Sequence, residues 1–238
     1  SEINALAIAR GALVLEDAAQ AVGARQRLEG PASRDGWTMA GAAGTVGAFS
    51  FFPTKNLGGF GDGGLMTTAA PEIADRLSQN RLHGGRQMYH HEMVGTNSRH
   101  DALQAAVLSV KLPHLDGWAE ARGANACTCH GALQGIPEVR LPDTTEGNHH
   151  VYNQYTLRVE RRDELREFLN DRGIGSGVYY PVPLHLQECF SDLGYSEGDF
   201  PVSEALCREV ISLPIFPELG GDRIEIVAGA IRDFYRGR

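Results

Sequence analysis

"SFFPTKNLGGFGDGG", Ser50 to Gly64, sets one lysine between a phenylalanine pair and a glycine-rich turn. The apolar run "GTVGAFSFF" (Gly44–Phe52) leads into it, so Lys55 stands where a strand ends and a tight turn begins. Lysine is among the side chains least often buried. Two further runs frame the segment: "ALVLED" (Ala12–Asp17), which ends in two acids, and the short "GGLMTT" (Gly63–Thr68). Continuous apolar runs suit strands buried on both faces of a parallel sheet. In such sheets ligands sit at the carboxyl ends of the strands. Asp17 closes the first run and Lys55 lies just past the second, so adjacent strands would bring an acid and an amine to one edge. A buried ion pair or a solvated loop lysine satisfies the same spacing.

Outward from this block the pattern turns helical. Ile3, Leu6 and Ala7 make a short stripe ahead of the first strand. "PEIADRLSQNRLHG" opens on Pro71 and stops at Gly84, the usual proline-first, glycine-last punctuation. Asp101 is a fair N-cap for "ALQAAVLSVKL", where Leu103, Val107 and Val110 share a face. Pro113 interrupts, and a further helix is expected over Leu115–Leu133. After the proline-bearing loop 135–148 the rhythm changes. "VYNQYTLRVE" alternates like a half-exposed strand. "RRDELREFLNDRG" reads as a helix capped by Asp163 and stopped by Gly173, with Leu165, Phe168 and Leu169 inward. "GSGVYYPVPL" reads as a strand broken by prolines, "SEALCREVISLPIFP" as a helix and a short extended piece, and Asp222–Arg236 as a closing helix. The expected organisation is an α/β layer over 1–115 and a small α+β domain over 116–238.

The 238 residues are 42% hydrophobic, enough for a sizeable core. With 22 Lys+Arg against 30 Asp+Glu the net charge is -8, which argues against nucleic acid and anionic membrane as partners. No apolar run reaches the roughly 20 residues of a spanning helix. Cys127, Cys129, Cys189 and Cys207 form no C-x-x-C pair and read as free buried thiols of a cytoplasmic protein. A zinc site from Cys127, Cys129, His130, His149 and His150 is not expected. C-x-C-H lacks the usual gap between paired thiols, and on a helix the two cysteines point to different faces.

A lysine used as a nucleophile must spend time as the neutral amine, which a desolvated site favours. Flanking phenylalanines and the Pro–Lys–Asn–Leu–Gly–Gly turn can supply one. Pyridoxal 5'-phosphate (PLP) is the common aldehyde partner of such a lysine and makes three further demands. Asp17 suits the carboxylate at its ring nitrogen. Gln20, in "EDAAQA", suits the group near its ring oxygen, and Ser50 suits a phosphate ligand.

With these residues placed, "LVLEDAAQAVGA", "GTVGAFSFFPTKNLGGFGDGGLMTT", "NRLHGGR", "GTNSRHDALQAAVLSVKLPHLDGWAEAR", "VYNQYTLRVERRDELREFLNDRGI" and "VYYPVPLHLQECFSDLGYSEGDFPVSEAL" resemble, in that order, the nucleotide-sugar aminotransferases of the DegT/DnrJ type. The resemblance covers nearly the whole chain. It implies the C-terminal part of a fold-type-I PLP-dependent large domain, with a mostly parallel sheet, plus a small α+β C-terminal domain, in a cytoplasmic homodimer. It implies Lys55 as the Schiff-base lysine, Asp17 as pyridinium partner, and Gln20 and Ser50 as cofactor ligands. Asn97, in "GTNSR", matches the asparagine that reaches the phosphate in the neighbouring subunit. His185, Tyr180 and Arg99 match substrate-side positions; packed histidine, core tyrosine and surface arginine are the plainer alternatives. Family members run longer at the N-terminus, so a fragment, a trimmed chain or an incomplete gene is expected. The segment 27–44 is longer than the usual hairpin.

The activity so implied moves the amino group of glutamate, through PLP, to a keto group of a nucleotide-diphosphate sugar, in amino-sugar synthesis for surface polysaccharides or natural products. Two alternatives stand beside it. One is a PLP-dependent sugar dehydratase, against which Lys55 itself speaks, since such relatives carry histidine there. The other is a regulatory or inactive fragment serving as an interaction module.

Overall fold

The computed structural model describes residues 2–237. In chain order it contains α1 (Glu2–Ala9), β1 (Leu15–Asp17), β2 (Arg25–Arg27), β3 (Trp37–Met39), β4 (Val46–Ser50), β5 (Gly64–Thr67), α2 (Pro71–Asn80) and α3 (Ala102–Lys111). A single 3-10 turn at Leu112–His114 leads to α4 (Leu115–Leu133), β6 (Val139–Arg140), β7 (Asn148–His149) and β8 (Tyr155–Val159). Then follow α5 (Arg162–Asn170), 3-10 turns at Leu184–Leu186 and Glu188–Leu193, α6 (Pro201–Glu209), β9 (Val210–Leu213) and α7 (Gly221–Arg236). These residues form two units, 2–119 with 144–151, and 120–143 with 152–237.

In the first unit β4 is the centre of a three-stranded sheet, parallel to β1 and antiparallel to β5. A second sheet has the order β3-β2-β7, all antiparallel. Burial on both faces, expected of the apolar runs, is not found. Leu15 on β1 and Leu65 and Met66 on β5 are exposed, because both strands are edges of a narrow sheet. The helix over 102–111 forms as expected after Asp101, but the buried face differs. Leu103 and Val110 are 75% and 72% exposed, while Leu108 is 8% exposed and packs with Leu57 and Leu115. The face that points inward is the one that meets the glycine turn, and apolar periodicity alone does not identify it. The long segment 27–44 is held by Glu16, whose carboxylate accepts the N–H groups of Gly41 and Gly44. Gly41 has φ +80°, and a Cβ there would lie 2.3 Å from the Phe49 ring, so a side chain would be strained and would have to displace that ring.

The second unit carries the larger core. β8 is central in an antiparallel sheet, β6-β8-β9. Its alternation is the one read from the sequence: Tyr155, Leu157 and Val159 are buried, Thr156 and Arg158 half-buried. Leu165 and Leu169 of α5 and Ile224, Ala228, Ile231 and Tyr235 of α7 complete the core at helical spacing. Each fully buried aliphatic side chain contributes roughly 1.5–3 kcal/mol. Asp163 is not the cap of α5. Arg161 occupies that position with φ 53°, and Asp163 sits in the first turn, where its charge still suits the helix dipole. The broken strand expected over Gly175–Leu184 reduces to one bridge, Gly177 with Ser212, since Pro181 and Pro183 have no N–H to give a ladder.

Candidate active site

β1 and β4 run parallel in the register Leu15↔Val46, Glu16↔Gly47, Asp17↔Ala48. Their carboxyl ends therefore coincide. Strand alternation turns the two acids of β1 to opposite sides. Glu16 is spent on the Gly41 and Gly44 amides, whereas Asp17 is exposed and accepts the Ala19 N–H at 3.1 Å. One more ladder bond, Ala18 N–H to Ala48 C=O at 2.9 Å, fixes the chain beyond Asp17, and Gln20 lies in the turn that follows. Ser50 ends β4, two residues past the partner of Asp17; its half-buried Oγ accepts the Phe52 N–H at 3.2 Å.

Lys55 is half-buried in a loop whose neck is closed by backbone. Phe51 N–H donates to Gly63 C=O and Gly59 N–H to Phe51 C=O, each at 2.8 Å, while Lys55 N–H donates to Phe52 C=O at 2.9 Å. Buried Asn56 donates to Val151 C=O at 3.0 Å, and Leu57 is buried beside it. Gly58 passes so close that a Cβ would lie 2.4 Å from the Pro53 oxygen. The lysine thus projects from a fixed turn rather than from a free loop.

Asn97 and Arg99 lie on the loop that follows α2. Its two limbs pair through the Leu82–Asn97 bridge, His83 N–H to Thr96 C=O at 2.9 Å and Ser98 N–H to Arg81 C=O at 3.0 Å. Both side chains are exposed, with an Arg99 guanidinium nitrogen 3.5 Å from His83 Nε2. Gly84, at φ +82°, has no room for a Cβ against the Met93 carbonyl, so the limbs close tightly.

Tyr180 and His185 belong to the second unit. Tyr180 is exposed on the rim of a mostly apolar cavity of about 450 Å³, lined also by Tyr179, Val182, Leu184, Leu206 and Cys207. His185 is turned away from water. Its Nε2 lies 3.0 Å from Glu204 Oε1, and its ring is tilted by 57° against Phe200 with the centroids 4.8 Å apart. Burial works to raise the Glu204 pKa, but the Gly198 N–H, His185 and the Phe200 N–H more than offset it and hold the carboxyl below its usual range. Glu204 gave no signal in the sequence beyond an acid in the first turn of a Pro-opened helix, where reaching back to the N-cap amide is a known habit.

The structure therefore gathers Asp17, Gln20, Ser50 and Lys55 at one sheet end. Asn97 and Arg99 are on the loop after α2 in the same unit, just before His100, whose ring lies against Gly63, and Tyr180 and His185 belong to the other unit. A carboxylate with free lone pairs, a hydroxyl and a primary amine at coincident strand ends are the donor set that PLP requires, and these residues fit it. Among the described residues no cluster of three or more His, Cys, Asp or Glu could hold a metal ion. Of the thiols expected to be buried only Cys129 is; Cys127, on another face of α4, and Cys189 are exposed, and Cys207 is half-buried. No helix among the described residues is long and apolar enough to cross a membrane.

Comparison with known proteins gives a consistent result. The profile of the DegT/DnrJ/EryC1/StrS aminotransferase family matches residues 1–232. A pleiotropic regulatory protein of Geobacillus stearothermophilus is 45% identical over 98% of this chain and 61% of its own length. The dTDP-3-amino-3,4,6-trideoxy-alpha-D-glucose transaminase of Streptomyces venezuelae is 44% identical over 98% of this chain and 59% of its own. Among solved structures, S. venezuelae DesV in complex with a ketimine intermediate superposes with TM-score 0.89 at 45% identity, over 98% of this chain and 60% of that one. The chain thus spans about 60% of the length of the relatives it matches.

Proposed function

This chain belongs to the DegT/DnrJ/EryC1/StrS aminotransferase family, and from that membership we propose that it holds PLP on Lys55 and transfers the amino group of glutamate to a keto group of a nucleotide-diphosphate sugar. The observation that carries the reading is the coincidence of Asp17, Ser50 and the Lys55 turn at the carboxyl ends of two parallel strands. The first unit is then what this chain supplies of the PLP-binding large domain, and the second is the small domain.

When bound, PLP supplies an electron sink that lets a carbon–hydrogen bond next to nitrogen ionise. Asp17 would keep a proton on the ring nitrogen by its negative charge. Ser50 Oγ and the nearby backbone would hold the phosphate. Gln20 would donate to the ring oxygen. The Lys55 amine would hold the cofactor through its aldehyde. When free, its Nζ would carry the proton between the substrate carbon and the cofactor carbon, a general acid–base role. Over a full cycle glutamate becomes 2-oxoglutarate and the keto sugar becomes an amino sugar, so nitrogen, protons and electron pairs balance. Asn97 is assigned to the phosphate of a partner subunit in a homodimer, Arg99, Tyr180 and His185 to the substrate side, and the site of action to the cytoplasm.

The test is borohydride reduction of the protein with PLP, followed by peptide mass spectrometry. A phosphopyridoxyl group on Lys55 is expected. A protein that stays colourless and unlabelled overturns the reading and favours a regulatory role, as the name of the Geobacillus relative would suggest. Assay with glutamate and dTDP- or UDP-linked keto sugars then separates transamination from dehydration.

A further inference from the structure

We propose that Gln104 and Lys111 of α3 are positioning residues that lock the glycine turn after Lys55 and so fix the direction of its amine. Lys55 and Lys111 are the only lysines in the chain; every other basic side chain apart from histidine is arginine. Lys111 Nζ donates to the Gly58 carbonyl. Gln104 Oε1 accepts the Phe60 N–H at 2.8 Å. The two stand seven residues apart, two turns along one face of α3, with buried Leu108 between them against Leu57. His100, one turn earlier, lies under the end of the same turn: a Cβ on Gly63 would come within 2.5 Å of its Cε1. A Cβ on Gly59 would come within 2.8 Å of Gln104 Oε1, and one on Gly61 within 3.0 Å of its Nε2. The helix face is thus in direct contact with the turn along its whole length. One bond holds a carbonyl and the other an amide, on either side of Gly59, so the peptide planes there cannot rotate without breaking one of them. A compact ammonium on a flexible stem suits a single carbonyl better than a planar guanidinium does.

The role of Lys55 in cofactor binding rests on the function proposed above, so the test separates the two. In the full chain, Gln104→Leu removes the acceptor and Gln104→Glu keeps it; Lys111→Met removes the other bond. Amide exchange is read at Phe60. Lys55 is labelled with formaldehyde and cyanoborohydride, and separately with PLP and borohydride, and the visible band of the PLP adduct is recorded. Gln104→Leu and Lys111→Met are expected to speed Phe60 exchange, to slow Lys55 labelling about tenfold and to shift the band. Gln104→Glu is expected to restore all three. Folded Leu and Met variants with unchanged exchange and unchanged formaldehyde labelling overturn the proposal. So does failure of both to fold, which would assign the residues to stability alone. If PLP never labels Lys55 in the unaltered chain, the cofactor reading fails, and the lock is still decided by exchange and formaldehyde labelling.

Discussion

Nε2 of His185 and Oε1 of Glu204 are 3.0 Å apart, with 7% and 5% of the two side chains exposed. The pair joins the segment after Tyr180 to α6, the two walls of the second unit's cavity. The Glu204 carboxyl is held below its ordinary value of 4.5 because the Gly198 and Phe200 amides and His185 outweigh its desolvation. A depressed folded-state pKa contributes stability that is complete above the unfolded value and is lost as pH falls through the folded one. Urea midpoints measured from about pH 6 down to about pH 3 should therefore fall more steeply for the unaltered protein than for Glu204→Gln, which has no proton to take up.

Lys55→Ala is expected to abolish phosphopyridoxyl labelling and to lower transamination by about 10²–10⁴-fold or more, since both the anchor and the proton carrier are lost. Labelling by mass spectrometry and turnover with glutamate check it. Persistence of the label at another residue would refute the assignment.

Asp17→Asn changes charge at nearly constant shape. Lys55 should still be labelled, while the rate of the glutamate half-reaction should drop by about 10²-fold or more, because the ring nitrogen loses its counter-charge. Stopped-flow absorbance would follow this. An equal rate in the variant would place Asp17 outside the chemistry.

Leu169 is fully buried between α5 and the sheet of the second unit. Leu169→Ala should cost about 2–5 kcal/mol of stability through lost transfer energy and a residual cavity. Denaturant titration of the variant gives the number directly.

Thiol reactivity should divide α4. Cys127 is exposed, whereas burial pushes the Cys129 thiol up to about 11. Iodoacetamide near neutral pH should alkylate Cys127 and spare Cys129 until denaturant is added, as read by peptide mapping.

Much of this molecule could be read from its residues where punctuation is strong. α4 and α7 carry clear starts and stops, and the alternation of Tyr155, Leu157 and Val159 announces β8. The strand end at Asp17 was legible because its apolar run stops at acids, whereas β4 ends at Ser50, two residues short of the run read as Gly44–Phe52. What stayed hidden depends on partners far along the chain. Leu103 and Leu108 are equally apolar, and only the turn around Leu57 decides which of them is buried. Glu204 and His185 are 19 positions apart with nothing local to couple them. Gln104 looked like an ordinary helix residue until the amide of Phe60, 44 positions earlier, was seen to need it.

The Ser50–Gly64 pairing of β4 and β5 has one last consequence. Both feet of the lysine-bearing segment stand on the same rung of a ladder, so the segment is mechanically a closed ring. Tension applied along either strand meets that rung first and leaves the ring's interior unloaded. Such an element behaves as a mount and cannot swing as a flap. If the proposed function holds, any opening and closing of the site falls to other parts of the protein around an amine on a fixed mount.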